Sequence, residues 1–157
     1  MPPAVADDRL GVLVGMPRTL RAGTPLEFVL SGLNPNQRHH YRLQYEADAN
    51  TAVWQGAVAS FQTARVGGST FTFTIQADSH LDGNTDPAVY LRTLSNALAD
   101  APDFHIDLGD TFMTDKYPKY QDALPQYIAQ RYYFGIACSA MPLFMVLGNH
   151  DGEKGDV

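Results

Sequence analysis

Three short polar motifs in this chain carry the residue types that a hydrolytic metal site uses. Asp78-Ser79-His80 follows the run Thr70 to Ala77, Gly109-Asp110 follows Phe104 to Leu108, and Gly148-Asn149-His150-Asp151 follows Pro142 to Leu147. Each preceding run reads as a buried strand, so each motif occupies the loop just past a strand end. Carboxylate, imidazole and amide groups are all ligands for divalent cations. Asp78 and His80 are two apart, so in extended backbone they point the same way and can chelate one ion. Gly109 lets the backbone turn sharply and aim the Asp110 carboxylate back over its strand, where one oxygen can serve each of two metals. Asn149 offers a neutral amide oxygen, with His150 and Asp151 beside it. Singly the motifs say little, because Gly-Asp is an ordinary turn and a D-x-H triplet is as often a capping aspartate beside a solvated histidine. In combination they fall after three successive strands, in order, 32 residues from Asp78 to Asp110 and 39 from Asp110 to Asn149. That order and placement point to a metal site.

The elements that position them read as strand, helix, strand, helix, strand. Phe71, Phe73 and Ile75 lead into the Asp78 loop. Asp86-Pro87 supplies a cap and a first-turn proline for a helix carrying Leu91, Leu94 and Leu98, which Ala101-Pro102 ends. Phe104, Ile106 and Leu108 make the second strand. A second helix is predicted from about Tyr120 to Gly135, with Leu124, Ile128 and Tyr132 on its apolar face. Leu143 to Leu147 is the third strand, a continuous apolar run of the kind buried on both faces of a parallel sheet. Right-handed crossovers then bring all three polar loops to the carboxyl edge of one sheet. Before Thr70 the pattern differs. Leu26, Phe28 and Leu30 alternate as one half-buried strand and Tyr41, Leu43 and Tyr45 as another, joined through Asn34-Pro35-Asn36-Gln37, with Trp54 and Phe61 as further apolar anchors. This predicts a small β-sandwich over residues 1–67, a flexible Arg65 to Ser69 join, and an α/β domain over 68–157.

With 157 residues and a formal net charge of −6, the chain lacks the clustered Lys and Arg that bind a nucleic-acid backbone, and its acidic balance suits a cation site. Cys138 is the single cysteine, which excludes an internal disulfide and reads as a small core residue. Met1 to Asp8 lacks the basic-then-apolar layout of a signal peptide, and no run is long enough to span a membrane. His39-His40 face opposite ways on a strand and read as a solvated edge. His105 and Asp107 lie inside the second strand, either as satisfied core polar groups or as hydrogen-bond supports for the loops above. Thr114, Asp115 and Lys116 follow Asp110 and are candidates for substrate contact or for a solvated loop.

The motif set resembles the calcineurin-like metallophosphoesterases, whose pattern is D-x-H, then G-D, then G-N-H-[DE], then a later His and G-H-x-H. The match runs from Thr70 to about Gly155 and implies the amino-terminal half (βαβαβ) of that fold. The resemblance implies Asp78 and His80 as ligands of a first metal, Asp110 as a bridging carboxylate, and Asn149 as a ligand of a second metal. It also implies His150 as the acid near the leaving group, with Asp151 orienting its ring. The implied cofactors are two metal ions, Mn, Fe or Zn, with Mg as a further candidate, acting on a phosphate mono- or diester. Leu30-Ser31-Gly32-Leu33-Asn34-Pro35 with Tyr41-Arg42-Leu43 is similar to the fibronectin type III pattern G-L-x-P-x-x-x-Y. A domain of that type precedes the catalytic one in purple acid phosphatases and in PhoD-type enzymes. Purple acid phosphatases place a tyrosine three residues after the bridging aspartate, and here that position is Met113, which disfavours the iron–tyrosinate type. The later histidines of the pattern do not occur in this sequence, so the chain is expected to be a fragment with weak metal binding and little activity alone. The rival expectation is a non-catalytic binding or scaffold protein built on a remnant of the fold.

Overall fold

The computed structural model describes residues 5–7, 12–14, 17–47 and 52–152. Most of Met1 to Asp8, read above for a leader, lies outside them. The backbone falls into two compact units, Met1–Pro35 and Asn36–Val157. In the first, β1 (Val5–Asp7) pairs antiparallel with β2 (Val12–Val14). The strand expected over Leu26 to Leu30 does not form, and Leu26, Phe28 and Leu30 all stand exposed. Alternation alone does not make a strand; it needs a neighbour to take its N–H and C=O groups, and no described segment pairs with this one.

In the second unit, β3 (Arg38–Tyr41) pairs antiparallel with β6 (Ala59–Gln62), and β4 (Gln44–Tyr45) with β5 (Trp54–Gln55). Trp54, expected as a core anchor, is 60% exposed, whereas Phe61 is partly buried and stacks on His39 at 5.8 Å. This β region is tied to the α/β part by side chain and backbone. Ser60 N–H donates to the Ser139 carbonyl at 3.2 Å, and Arg65 pairs with Asp103 at 2.8 Å. The Asp103 carboxylate also accepts the Thr72 N–H at 3.0 Å. Burial pushes the Asp103 pKa up, but the guanidinium and the Thr72 N–H outweigh it and hold the group below the usual carboxylate value.

The expected βαβαβ order is present. β7 (Phe73–Gln76), β8 (Phe104–Asp107) and β9 (Leu143–Met145) form a parallel sheet in that spatial order. Helix α1 (Pro87–Ala99) connects the first two strands. Asp86 caps it by accepting the Ala88 N–H at 2.8 Å, and Pro87 opens its first turn. Helix α2 (Tyr120–Cys138) connects the second pair and runs three residues further than expected. The two helices pack on each other, on the one face of the sheet where two right-handed crossovers in the same direction would place them. Leu81, Tyr90, Leu94, Ala137 and Met141 form the core there.

Two expectations about burial fail, for one reason. The face of the sheet turned to the helices is polar, carrying Thr74, Gln76, His105 and Asp107, the last two at most 1% exposed. The opposite, apolar face has no described layer over it. Phe71, Phe73, Ile75, Leu108, Phe144 and Val146 are 44–58% exposed on it, with Phe73 and Phe104 stacked at 5.3 Å. The Leu143 to Leu147 run is therefore not buried on both sides. The buried stripe of α2 is likewise not Leu124, Ile128 and Tyr132, of which Ile128 and Tyr132 are well exposed. It is Ala123, Gln130, Phe134 and Ala137.

His105 shows what the polar face does to stability. Its Nδ1 lies 2.7 Å from Thr74 Oγ1, and burial lowers its pKa against the upward pull of Asp107. The folded protein thus keeps this ring neutral at pH values where the unfolded chain protonates it. Its contribution is complete above the unfolded value of about 6.5 and is lost as pH falls toward the depressed folded value. The urea midpoint should fall between pH 7 and pH 5, and His105→Gln should flatten that fall. An identical slope in the variant would show that another group is responsible.

Candidate metal centre

The three polar loops meet at the carboxyl edge of the β7–β8–β9 sheet, held by backbone hydrogen bonds between loops. Asp78 N–H donates to the Gly109 carbonyl at 3.0 Å and His80 N–H to the Asp110 carbonyl at 3.1 Å. His150 N–H donates to Asp110 Oδ1 at 2.9 Å, which draws the third loop onto the second. Such close approach requires glycine. A Cβ on Gly109, whose φ is +97°, would overlap the Gly148 backbone, and a Cβ on Gly148 would overlap the Asp110 carboxylate. Asp78, His80 and Asp110 themselves adopt left-handed backbone, with φ of 54°, 42° and 53°. Each such residue costs about 1–3 kcal/mol and persists only where its surroundings over-determine it, as these inter-loop bonds do.

The outcome is a convergent donor set. Ligand atoms of Asp78, His80 and Asp110 lie within 4.8 Å of one another. His80 Nε2 stands 3.5 Å from Asp78 Oδ1 and 3.8 Å from Asp110 Oδ2, and it is a buried nitrogen with no hydrogen-bond partner. These separations exceed a hydrogen bond but approach the roughly 3–3.5 Å between neighbouring ligands around one ion with bonds of about 2.0–2.2 Å. An orphaned imidazole nitrogen facing two carboxylates fits a cation. The side toward Asp78 is open, its side chain 68% exposed against 16% for Asp110. Three donor groups with one open side would suit a catalytic rather than a structural metal site.

A family model of the calcineurin-like phosphoesterases matches residues 71–157, more than half of the chain and all three motifs. The chain belongs to this family. No curated protein matches it.

At this loop cluster, the remaining residues singled out from the sequence are placed unequally. Asn149 is exposed on the turn that leads into the His150 N–H, at the same edge as Asp110. The ring of His150 packs edge-on to that of His80, 5.7 Å between centroids. Asp151 does not orient that ring. Its Oδ1 accepts the N–H groups of Thr111 and Phe112 at 2.9 and 2.7 Å, and its Oδ2 accepts the Gly148 N–H at 2.9 Å. With both oxygens on backbone donors, Asp151 clamps the third loop to the second. The His150 ring is held instead by Asp115, whose Oδ2 lies 3.0 Å from Nδ1 and whose N–H donates to the His150 carbonyl at 3.1 Å. Asp115 had appeared in the sequence only as one of three candidates for substrate contact. Its neighbours are engaged too. Thr114 is fully buried, and Lys116 pairs with Asp82 at 2.7 Å, which raises the lysine pKa and lowers the aspartate's.

Asp107 combines both roles weighed for it. It is fully buried, accepting from Gln76 Nε2 at 2.6 Å and, at its other oxygen, from the Gly109 N–H at 3.0 Å and Thr111 Oγ1 at 2.5 Å. It is therefore a satisfied core group that fixes the start of the Asp110 loop.

Gly148→Ala tests the packing of the centre. The added methyl must displace the Asp110 carboxylate, so metal affinity should fall by about 10-fold or more, as for disturbed ligand orientation generally. Titration with Mn²⁺ measures this. Parental affinity would mean that the Asp110 position does not depend on Gly148.

Proposed function

We propose that this chain carries the metal centre of a dinuclear phosphoesterase acting on phosphate mono- or diesters. The observation that carries the proposal is the buried, partnerless His80 Nε2 facing the Asp78 and Asp110 carboxylates at a strand-end loop cluster. On this reading Asp78 and His80 would hold one ion, Asp110 would serve both, and Asn149 would help hold the second. Bound metal ions neutralise the charge of a phosphoryl group and acidify a water at neutral pH. The chain's own groups do the rest. Asp115 accepts a hydrogen bond from Nδ1–H of His150 and orients the ring, and in the imidazolium form the Nε2–H is the proton given to the leaving oxygen. The exposed side of Asp78 leaves room for substrate. Met113 at the third position after Asp110 disfavours an iron–tyrosinate enzyme and favours a general dinuclear one, and the G-L-x-P run supports a fibronectin type III-like module ahead of the α/β part, of the kind that purple acid phosphatases and PhoD-type enzymes share.

The test is hydrolysis of an aryl phosphate and a bis-aryl phosphodiester by a protein extended to carry the later histidines of the family pattern, with Mn²⁺ or Zn²⁺ supplied, chelator as control and Asp110→Asn as the inactive comparison. Metal-dependent turnover lost in Asp110→Asn supports the reading; turnover insensitive to chelator or to the substitution defeats it. The exposed apolar sheet face favours a second reading, a binding or scaffold protein on the same fold. That reading predicts a protein that takes up metal without turnover.

A further inference from the structure

We infer that Gln130, in the middle of α2, is a positioning residue that sets the spacing between the metal-holding loops, so that metal affinity depends on its side-chain amide. The inference rests on Asp78, His80 and Asp110 being metal ligands. Gln130 is fully buried at the centre of the helix's inward stripe, where an apolar residue would ordinarily stand. Both N–H groups and the oxygen of its amide are engaged. Nε2 donates to the Thr111 carbonyl at 2.7 Å and to Ser79 Oγ at 3.2 Å, and Oε1 accepts the Tyr90 hydroxyl at 3.0 Å. Ser79 lies between Asp78 and His80, and Thr111 follows Asp110. One NH₂ group therefore bridges the two loops that supply the ligands, from beneath, with Tyr90 of α1 holding the amide in orientation.

The same Thr111 ties in the third loop. Its N–H donates to Asp151 and its hydroxyl to Asp107, so the Gln130 contact joins a chain of bonds that spans all three motifs. Three left-handed ligand residues hold their backbone only while such contacts persist. A loop shift of a few tenths of an ångström at Ser79 relative to Thr111 changes the His80 to Asp110 separation directly, and outer groups that orient ligands commonly carry about 10- to 100-fold in metal affinity.

The experiment is Mn²⁺ titration by calorimetry of the parent chain, Gln130→Leu, Thr74→Val and Asp110→Asn, with urea stability measured on each. Gln130→Leu keeps volume and removes the bridge. Thr74→Val breaks a part-buried side-chain hydrogen bond, to His105, without touching a loop. The expected result is a loss of about 10-fold or more in Mn²⁺ affinity for Gln130→Leu and parental affinity for Thr74→Val, even where the two lose similar stability. Equal affinity in Gln130→Leu and parent overturns the inference, as does an equal loss in both variants, which would make Gln130 merely structural. If Gln130→Leu does not fold, Ser79→Ala removes one arm of the bridge and must itself weaken binding several-fold; parental affinity there also overturns it. A parent that binds Mn²⁺ no better than Asp110→Asn refutes the metal centre itself, a failure distinct from that of Gln130.

Discussion

Asp110→Asn is expected to remove metal binding and, with it, phosphoesterase activity, while leaving the metal-free protein folded and somewhat more stable. Asparagine keeps the shape of the side chain and an oxygen to accept the His150 N–H at Oδ1. What it loses is the negative charge, and its amide can put a donor where Oδ2 now faces His80 Nε2 at 3.8 Å. A metal held between these groups is deprived of several kcal/mol of attraction, about 10²-fold or more in affinity. In the metal-free protein the same change relieves repulsion between two carboxylates pointed at one place, so stability should not fall. Thermal unfolding with and without Mn²⁺ separates the effects. The parent midpoint should rise with metal and the variant's should not, from an equal or higher starting point. A metal-induced rise of parental size in Asp110→Asn would remove Asp110 from the ligand set.

In a protein that also carries the later histidines of the family pattern, His150→Ala should lower turnover by about 10²- to 10⁴-fold, the range of a lost general acid, with metal content unchanged. The imidazole is placed for this, packed edge-on to His80 with its Nδ1 fixed by Asp115. Because its task is at the leaving oxygen, the loss should be greatest for alkyl esters and shrink for nitrophenyl esters, which leave without protonation. Asp115→Asn should reproduce a smaller loss with the same leaving-group trend, since it frees the ring without removing it. Metal content falling in step with activity would make His150 a ligand instead.

The parts of this centre that were legible in the sequence are those fixed by local pattern. The three strands, their parallel order and the loops after them follow from apolar runs ending in polar triplets, and Asp78, His80 and Asp110 converge because adjacent parallel strands end at one edge. What was not legible depends on partners distant in the chain. Asp115 is 35 residues from the His150 ring it holds, in a short 3₁₀ turn with no periodicity to mark it. Asp151 sits beside His150 in sequence but faces backbone donors some 40 residues away, so adjacency suggested the wrong pairing. Gln130 broke the reading of α2, because a search for apolar periodicity cannot find a buried stripe centred on an amide. The polar inner face of the sheet likewise could not be told from its apolar outer face by strand composition, which records alternation but not which side receives the helices.

The most direct test is crystallographic, with crystals of the chain grown or soaked with Mn²⁺ and the ion located by anomalous scattering. An anomalous peak about 2.0–2.2 Å from His80 Nε2 and from one carboxylate oxygen each of Asp78 and Asp110 is the predicted result. Those three residues left without a peak, while Mn²⁺ is bound elsewhere on the same molecule, would contradict it.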